Sequence, residues 1–96
     1  MDNTDIMNIL KNYKKEVSGQ YNIISIGVFG SVARNTPGEE SDIDIVIKIS
    51  EPDLFMLAGI KDDLKRRFNK PVDIVTYSEN MNPFLKKRID KEAVYA

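Results

Sequence analysis

From Ile43 to Ile49 every second residue is isoleucine, and this strict two-residue period constrains the fold more than any other feature of the chain. Side chains alternate across a strand, so Ile43, Ile45, Ile47 and Ile49 need a core on one side, and Asp42 and Asp44 are committed to the other. Positions two apart on a strand lie roughly 6–7 Å apart, close enough for two carboxylates to converge on one ion. At about 5 Å in a medium of effective dielectric near 20, their repulsion is on the order of 3 kcal/mol, which a divalent cation removes. Oxygen donors of this kind suit Mg²⁺, Mn²⁺ or Ca²⁺, and Mg²⁺ typically takes one or two carboxylates and fills its shell with water and phosphate oxygens. Read alone, an Asp-x-Asp on an outer strand face is equally well a solvated pair.

The preceding residues alter that balance. Ile23–Phe29 reads as a β-rich run that stops at Gly30-Ser31, and Val32-Ala33-Arg34 can form the first turn of a short helix. A strand entering a helix through Gly-Ser leaves backbone N–H groups unpaired, and phosphate is their natural occupant. Gly30 has no side chain to block close approach, and Ser31 can cap the helix or donate its hydroxyl to a phosphate. Arg34 can hold a phosphate in its planar fork or neutralise Glu39, Glu40 or Asp42. The stretch from Asn35 to Glu40, with Pro37 and Gly38, is an exposed turn.

Gly30-Ser31, ten intervening residues and then Asp42-x-Asp44 form a rare combination. In it the chain resembles the nucleotidyltransferase superfamily that includes DNA polymerase beta, and most closely its minimal, stand-alone branch. The resemblance extends over nearly the whole chain, through a later Val-Asp-x-Val strand at Val72–Val75 to a closing helix ending near Glu92-Ala93-Val94-Tyr95. It implies that Gly30 and Ser31 grip the triphosphate of the nucleotide, beside Arg34 of the matching Gly-Ser-x-Ala-Arg run, while Asp42 and Asp44 hold Mg²⁺, with two ions possible. It further implies ATP as substrate, AMP as the group transferred, and as acceptor a tyrosine of a HEPN-domain toxin to which the chain is the antitoxin. The chain departs from the family at Asn35, where Gly commonly follows the Arg; Asn tolerates left-handed backbone angles.

The rest of the chain supplies a scaffold. Ile6, Ile9, Leu10, Tyr13 and Val17 recur at helical spacing after the caps Asp2, Asn3 and Thr4, and this helix ends at Ser18-Gly19. Ser50-Glu51-Pro52-Asp53 starts a second helix, with Leu54, Leu57, Ala58, Leu64 and Phe68 as its stripe; Phe55, Met56 and Ile60 widen it, completing the core or meeting a partner. Lys70–Thr76 is a second half-buried strand whose Asp73 is the third acid. If it aligns with the first, Asp73 meets Asp42 and Asp44, either to complete the metal shell or to accept a proton from an attacking hydroxyl. Asn82-Pro83 opens a last helix with Phe84, Leu85 and Ile89 inside and Lys86, Lys87, Arg88 and Lys91 as a basic patch, either a solvated face or an attraction for nucleotide phosphates or an acidic partner.

With 96 residues, the reading is one nucleotidyltransferase domain, residues 1–96. Its class is α/β, a small mixed sheet with helices packed on one face and the active site on the other. The absence of His and Cys excludes histidine bases, thiolate metal sites and disulfides. A net charge of -1 argues against nucleic acid as a direct ligand, and no apolar run suits a membrane. A cytoplasmic setting is expected, and an oligomer is compatible with it. Neither the Walker phosphate loop nor the Gly-x-Gly-x-x-Gly fingerprint occurs. The alternative to a transferase is a binding module that neutralises a partner by covering it, with the acids idle.

Overall fold

The structure, a computed structural model, describes residues 3–30 and 42–96. Its elements run α1 (Asn3–Val17), β1 (Ile23–Phe29), β2 (Ile43–Ile49), α2 (Leu54–Phe68), β3 (Val72–Thr76), α3 (Pro83–Glu92) and β4 (Val94–Tyr95). The strands form one mixed sheet in the order β3-β2-β1-β4, with β2 and β3 parallel and β1 antiparallel to both of its neighbours. The expected small mixed sheet with α-helices is therefore observed. The short helix expected over Val32–Arg34 and the turn from Asn35 to Glu40 lie outside the described residues.

The isoleucine alternation dictates the centre. Ile43, Ile45, Ile47 and Ile49 are all buried on one face, joined by Ile26 and Val28 of β1 and Val72 of β3. The inner stripes of α1 (Ile6, Leu10, Tyr13, Val17) and α2 (Ile60, Leu64, Phe68) close over them. Each such side chain contributes roughly 1.5–3 kcal/mol on leaving water, which outweighs the β-branched residues' rotamer loss. Pairing passes from Ile23↔Ile49 to Ser25↔Lys48, so Ile24 is the extra residue of a bulge. That shift turns Ile23, Ile26 and Val28 to the core while Ile24 stays exposed.

The helix boundaries follow the sequence. Asp53 caps α2, its Oδ1 accepting from the Phe55 N–H at 2.7 Å and the Met56 N–H at 3.3 Å. Asn69 ends it with φ 53°, in the left-handed region that Asn enters readily. Asn82 caps α3 in the same way, with Pro83 at the first helical position.

Three features differ from the sequence reading. Leu54 lies on the α2 stripe and Phe55 beside it, yet they are 84% and 90% exposed, and Ala58 is exposed too; of the residues that widen the stripe, Ile60 is buried and Met56 partly so. Periodicity shows which side of a helix turns inward, not how far along it the core reaches. Phe84 likewise faces solvent, leaving Leu85 and Ile89 as the inner side of α3. The closing segment is helical only to Glu92: Ala93 is extended, and Val94-Tyr95 pair with Val28 and Gly27 as an edge strand. A β-carbon on Gly27 would stand 2.6 Å from the Val94 carbonyl oxygen, so glycine is what lets β4 come this close.

α1 and α2 cover the isoleucine face as expected, but α3, expected on that face too, lies across part of the opposite one, because Phe29 and Val46 leave apolar surface there for Ile89 to cover. There Ile89 buries Phe29 and Val46, with Val75, Tyr77, Met81, Leu85 and Ala93 around them. The acid-bearing face is thus half roofed.

Candidate active site

The parallel register of β2 and β3 pairs Ile43 with Val72, Asp44 with Asp73 and Ile45 with Ile74. Neighbours in register share a face, so Asp44 and Asp73 stand side by side at strand spacing, about 5 Å, on the face away from the isoleucines. Antiparallel pairing puts Phe29 opposite Asp44 on its other flank. The three strands therefore bring two acids and the end of β1 together at one end of the sheet.

Gly30 follows directly. It is buried, its φ is +73°, and a β-carbon there would collide with the Asp44 carboxylate. Only glycine takes that backbone angle at little cost and also leaves room for the acid. Arg88 of α3 enters the same place, its Nη2 3.4 Å from where that β-carbon would be. Its guanidinium lies over the Phe29 ring, 5.8 Å from the centroid, and its Nε is 3.4 Å from Glu92 Oε2. Sequence reading placed Arg88 in a basic patch, solvated or able to attract phosphate, and the residue is exposed, but its place beside Gly30 was not foreseen. The available signal was its place next to Ile89, but nothing in the chain announces that Ile89 packs on Phe29.

Asp42 is exposed and stands one residue before β2. Among the described residues no three acidic side chains converge as ligands of one ion would. The structure gathers two acids beside an arginine, and the meeting of Asp42 with them is not seen. Ser31 and Arg34 lie outside the described residues. The chemistry of the donor set fits a hard divalent cation: paired carboxylates on one face, a third one position before the strand, and neither His nor Cys in the chain.

Farther along this face, polar contacts hold α3 down. The Tyr77 hydroxyl donates to Asp90 Oδ1 at 2.8 Å, and Lys86 Nζ lies 3.3 Å from Asp90 Oδ2 and 5.5 Å from the Tyr77 ring centroid. The Tyr77 hydrogen bond and, less strongly, Lys86 hold the Asp90 carboxyl below the usual range; the Asp90 hydrogen bond raises Tyr77 against the opposing effect of Lys86, and Tyr77 and then Asp90 raise Lys86. A cavity of about 760 Å³ opens elsewhere, on α1, lined by Lys11, Lys14, Lys15 and Ala96 among others. It contains none of the acids.

Comparison with known proteins identifies the family and the fold. Residues 10–96 match the nucleotidyltransferase domain family. A Methanocaldococcus jannaschii protein bearing the provisional name of protein adenylyltransferase is 39% identical over 93 residues, 96% of this chain and 95% of that protein. The protein adenylyltransferase MntA of Thermococcus cleftensis is 33% identical over 92 residues, 95% of this chain and 92% of its own. Among solved structures, a protein provisionally described as a minimal nucleotidyltransferase superposes with a TM-score of 0.81 at 27% identity, covering 98% of this chain and 95% of that one. A chain of the complex between an MNT antitoxin and a tri-AMPylated Shewanella oneidensis HEPN toxin shares the fold, with a TM-score of 0.65 at 16% identity over 93% of this chain and 70% of that one. The chain belongs to the nucleotidyltransferase domain family, on the minimal branch of its protein adenylyltransferase relatives.

Proposed function

We propose that this enzyme is a Mg²⁺-dependent transferase that moves AMP from ATP to a tyrosine hydroxyl of a partner HEPN-type toxin and so acts as its antitoxin. The observation that carries this reading is the register pairing of Asp44 with Asp73 beside Gly30 at positive φ. Relatives named protein adenylyltransferase, and the fold shared with a chain of an AMPylated toxin complex, support it.

In this reading residues 1–96 act as one nucleotidyltransferase domain in the cytoplasm. Gly30 and Ser31 bind the β- and γ-phosphates, with Arg34 as a further contact, the roles of Ser31 and Arg34 resting on sequence. Asp42, Asp44 and Asp73 are the residues that would hold Mg²⁺, which supplies charge neutralisation on the entering and leaving oxygens. Asp73, exposed near the start of β3, can instead take the proton of the acceptor hydroxyl. That oxygen forms a bond to the α-phosphorus in line, the bond from the α-phosphorus to the bridging oxygen breaks, and pyrophosphate leaves. The test is intact mass spectrometry of a co-purified HEPN partner before and after incubation with each nucleoside triphosphate and Mg²⁺. The expected result is a gain of one or more AMP units with ATP; an unmodified partner in a formed complex overturns the reading.

Exposed Leu54 and Phe55 favour a second reading, neutralisation by binding alone. Substituting Asp42 and Asp44 by Asn separates the two: protection from the toxin that survives in a folded variant supports the binder.

A further inference from the structure

We propose that Arg88 is a substrate-binding residue of this site, a guanidinium fork supplied by α3 that holds the pyrophosphate part of the nucleoside triphosphate. The inference rests on the transferase reading above and extends it to a residue outside the strand motifs.

Three observations converge. Arg88 Nη2 and the Asp44 carboxylate both lie around one point, the place a β-carbon of residue 30 would occupy. The side chain is held from two directions: its guanidinium carbon stands 5.8 Å from the Phe29 ring centroid, and its Nε is 3.4 Å from Glu92 Oε2 one helical turn on. These contacts leave the Nη side of the fork toward Gly30, whose missing side chain leaves room for a phosphate to approach. The base of the side chain is fixed as well, because the next residue, Ile89, is fully buried on Phe29 and Val46. Arginine at such a position gives bidentate recognition of phosphate with little ordering cost on binding. A lysine would give charge without the fork.

An arginine next to Asp44 has a simpler use, to neutralise that acid, and the two roles differ in what they do to ligands. A phosphate fork raises affinity for di- and triphosphates and leaves AMP alone. A mere counter-ion to Asp44 leaves nucleotide affinity unchanged and weakens binding of a divalent cation.

The experiment is calorimetric titration of ATP, inorganic pyrophosphate and AMP, each with Mg²⁺, into the wild-type chain and its R88A, R88Q and R88K variants. Mn²⁺ binding is followed by electron paramagnetic resonance and folding by circular dichroism. We expect R88A and R88Q to weaken ATP and pyrophosphate by about 10- to 100-fold, the loss of one or two charged hydrogen bonds. R88K should fall between, with AMP and Mn²⁺ within about twofold of wild type. Should R88A fail to fold, R88Q, which keeps a polar chain over Phe29, decides the matter. A folded R88Q that binds ATP like the wild type, or that gains only Mn²⁺ affinity, overturns the proposal while leaving the transferase reading intact. A folded wild-type chain that binds neither ATP nor pyrophosphate overturns both.

Discussion

Gly30 and Asp44 are coupled at the level of single atoms, because the glycine's missing β-carbon is the space the carboxylate fills. Gly30→Ala should therefore cost about 1–3 kcal/mol from the backbone angle alone and push Asp44 aside, lowering both the denaturation midpoint and nucleotide affinity. A variant with wild-type stability and binding would show that the turn is not held as described. Asp44→Asn is expected to behave differently. It keeps the shape and removes the charge, so the chain should still fold while AMP transfer falls on the order of 100-fold or more. Mass spectrometry of the partner and a thermal melt of the same preparation measure the two halves of that expectation.

Among the elements, α3 decides the site's shape. Its start is fixed by the Asn82 cap and Pro83, its middle by Ile89, and its end by the extended Ala93 that hands the chain to β4. Asn82→Ala should cost about 1 kcal/mol through the two backbone N–H groups it orphans. Ile89→Ala should cost about 2–5 kcal/mol, and because Arg88 hangs from the same turn it should also weaken ATP binding more than an equally destabilising change in α2, such as Leu64→Ala. Equal effects on binding from the two variants would argue that α3 is a lid of no consequence to ligand. The helix starts were readable because Asp53 and Asn82-Pro83 act through backbone groups a few residues away. Leu54 and Phe55 misled because helical period is local, while burial depends on whether another element reaches that far.

Over the whole molecule, polar contacts between α1 and α2 make stability depend on alkaline pH. The buried Tyr13 hydroxyl donates to Asp63 at 2.9 Å, and Arg67 pairs with Glu16 over the Tyr13 ring. Burial first, and then the Asp63 hydrogen bond, push the Tyr13 phenol well above its ordinary value of 10.0. The folded chain thus keeps a proton that the unfolded chain gives up, so this contribution is complete below about pH 10 and is lost as the pH rises beyond it. Tyr13→Phe should be about 1 kcal/mol less stable near neutrality and should lose less between about pH 9 and about pH 11, by urea denaturation. Parallel declines in both proteins would place the alkaline sensitivity elsewhere. The isoleucine core and the turning of Asp44 and Asp73 away from it were determined by the sequence, since alternation along a strand assigns each side chain its face before any neighbour is known; the order of strands and the register that pairs the two acids were not. Tertiary structure alone decided that α3 crosses the acid face, that two residues after it close the sheet's edge, and that Arg88 arrives beside Gly30. Those outcomes depend on which surfaces remain uncovered once the first core has formed, and no local pattern in the chain carries that information.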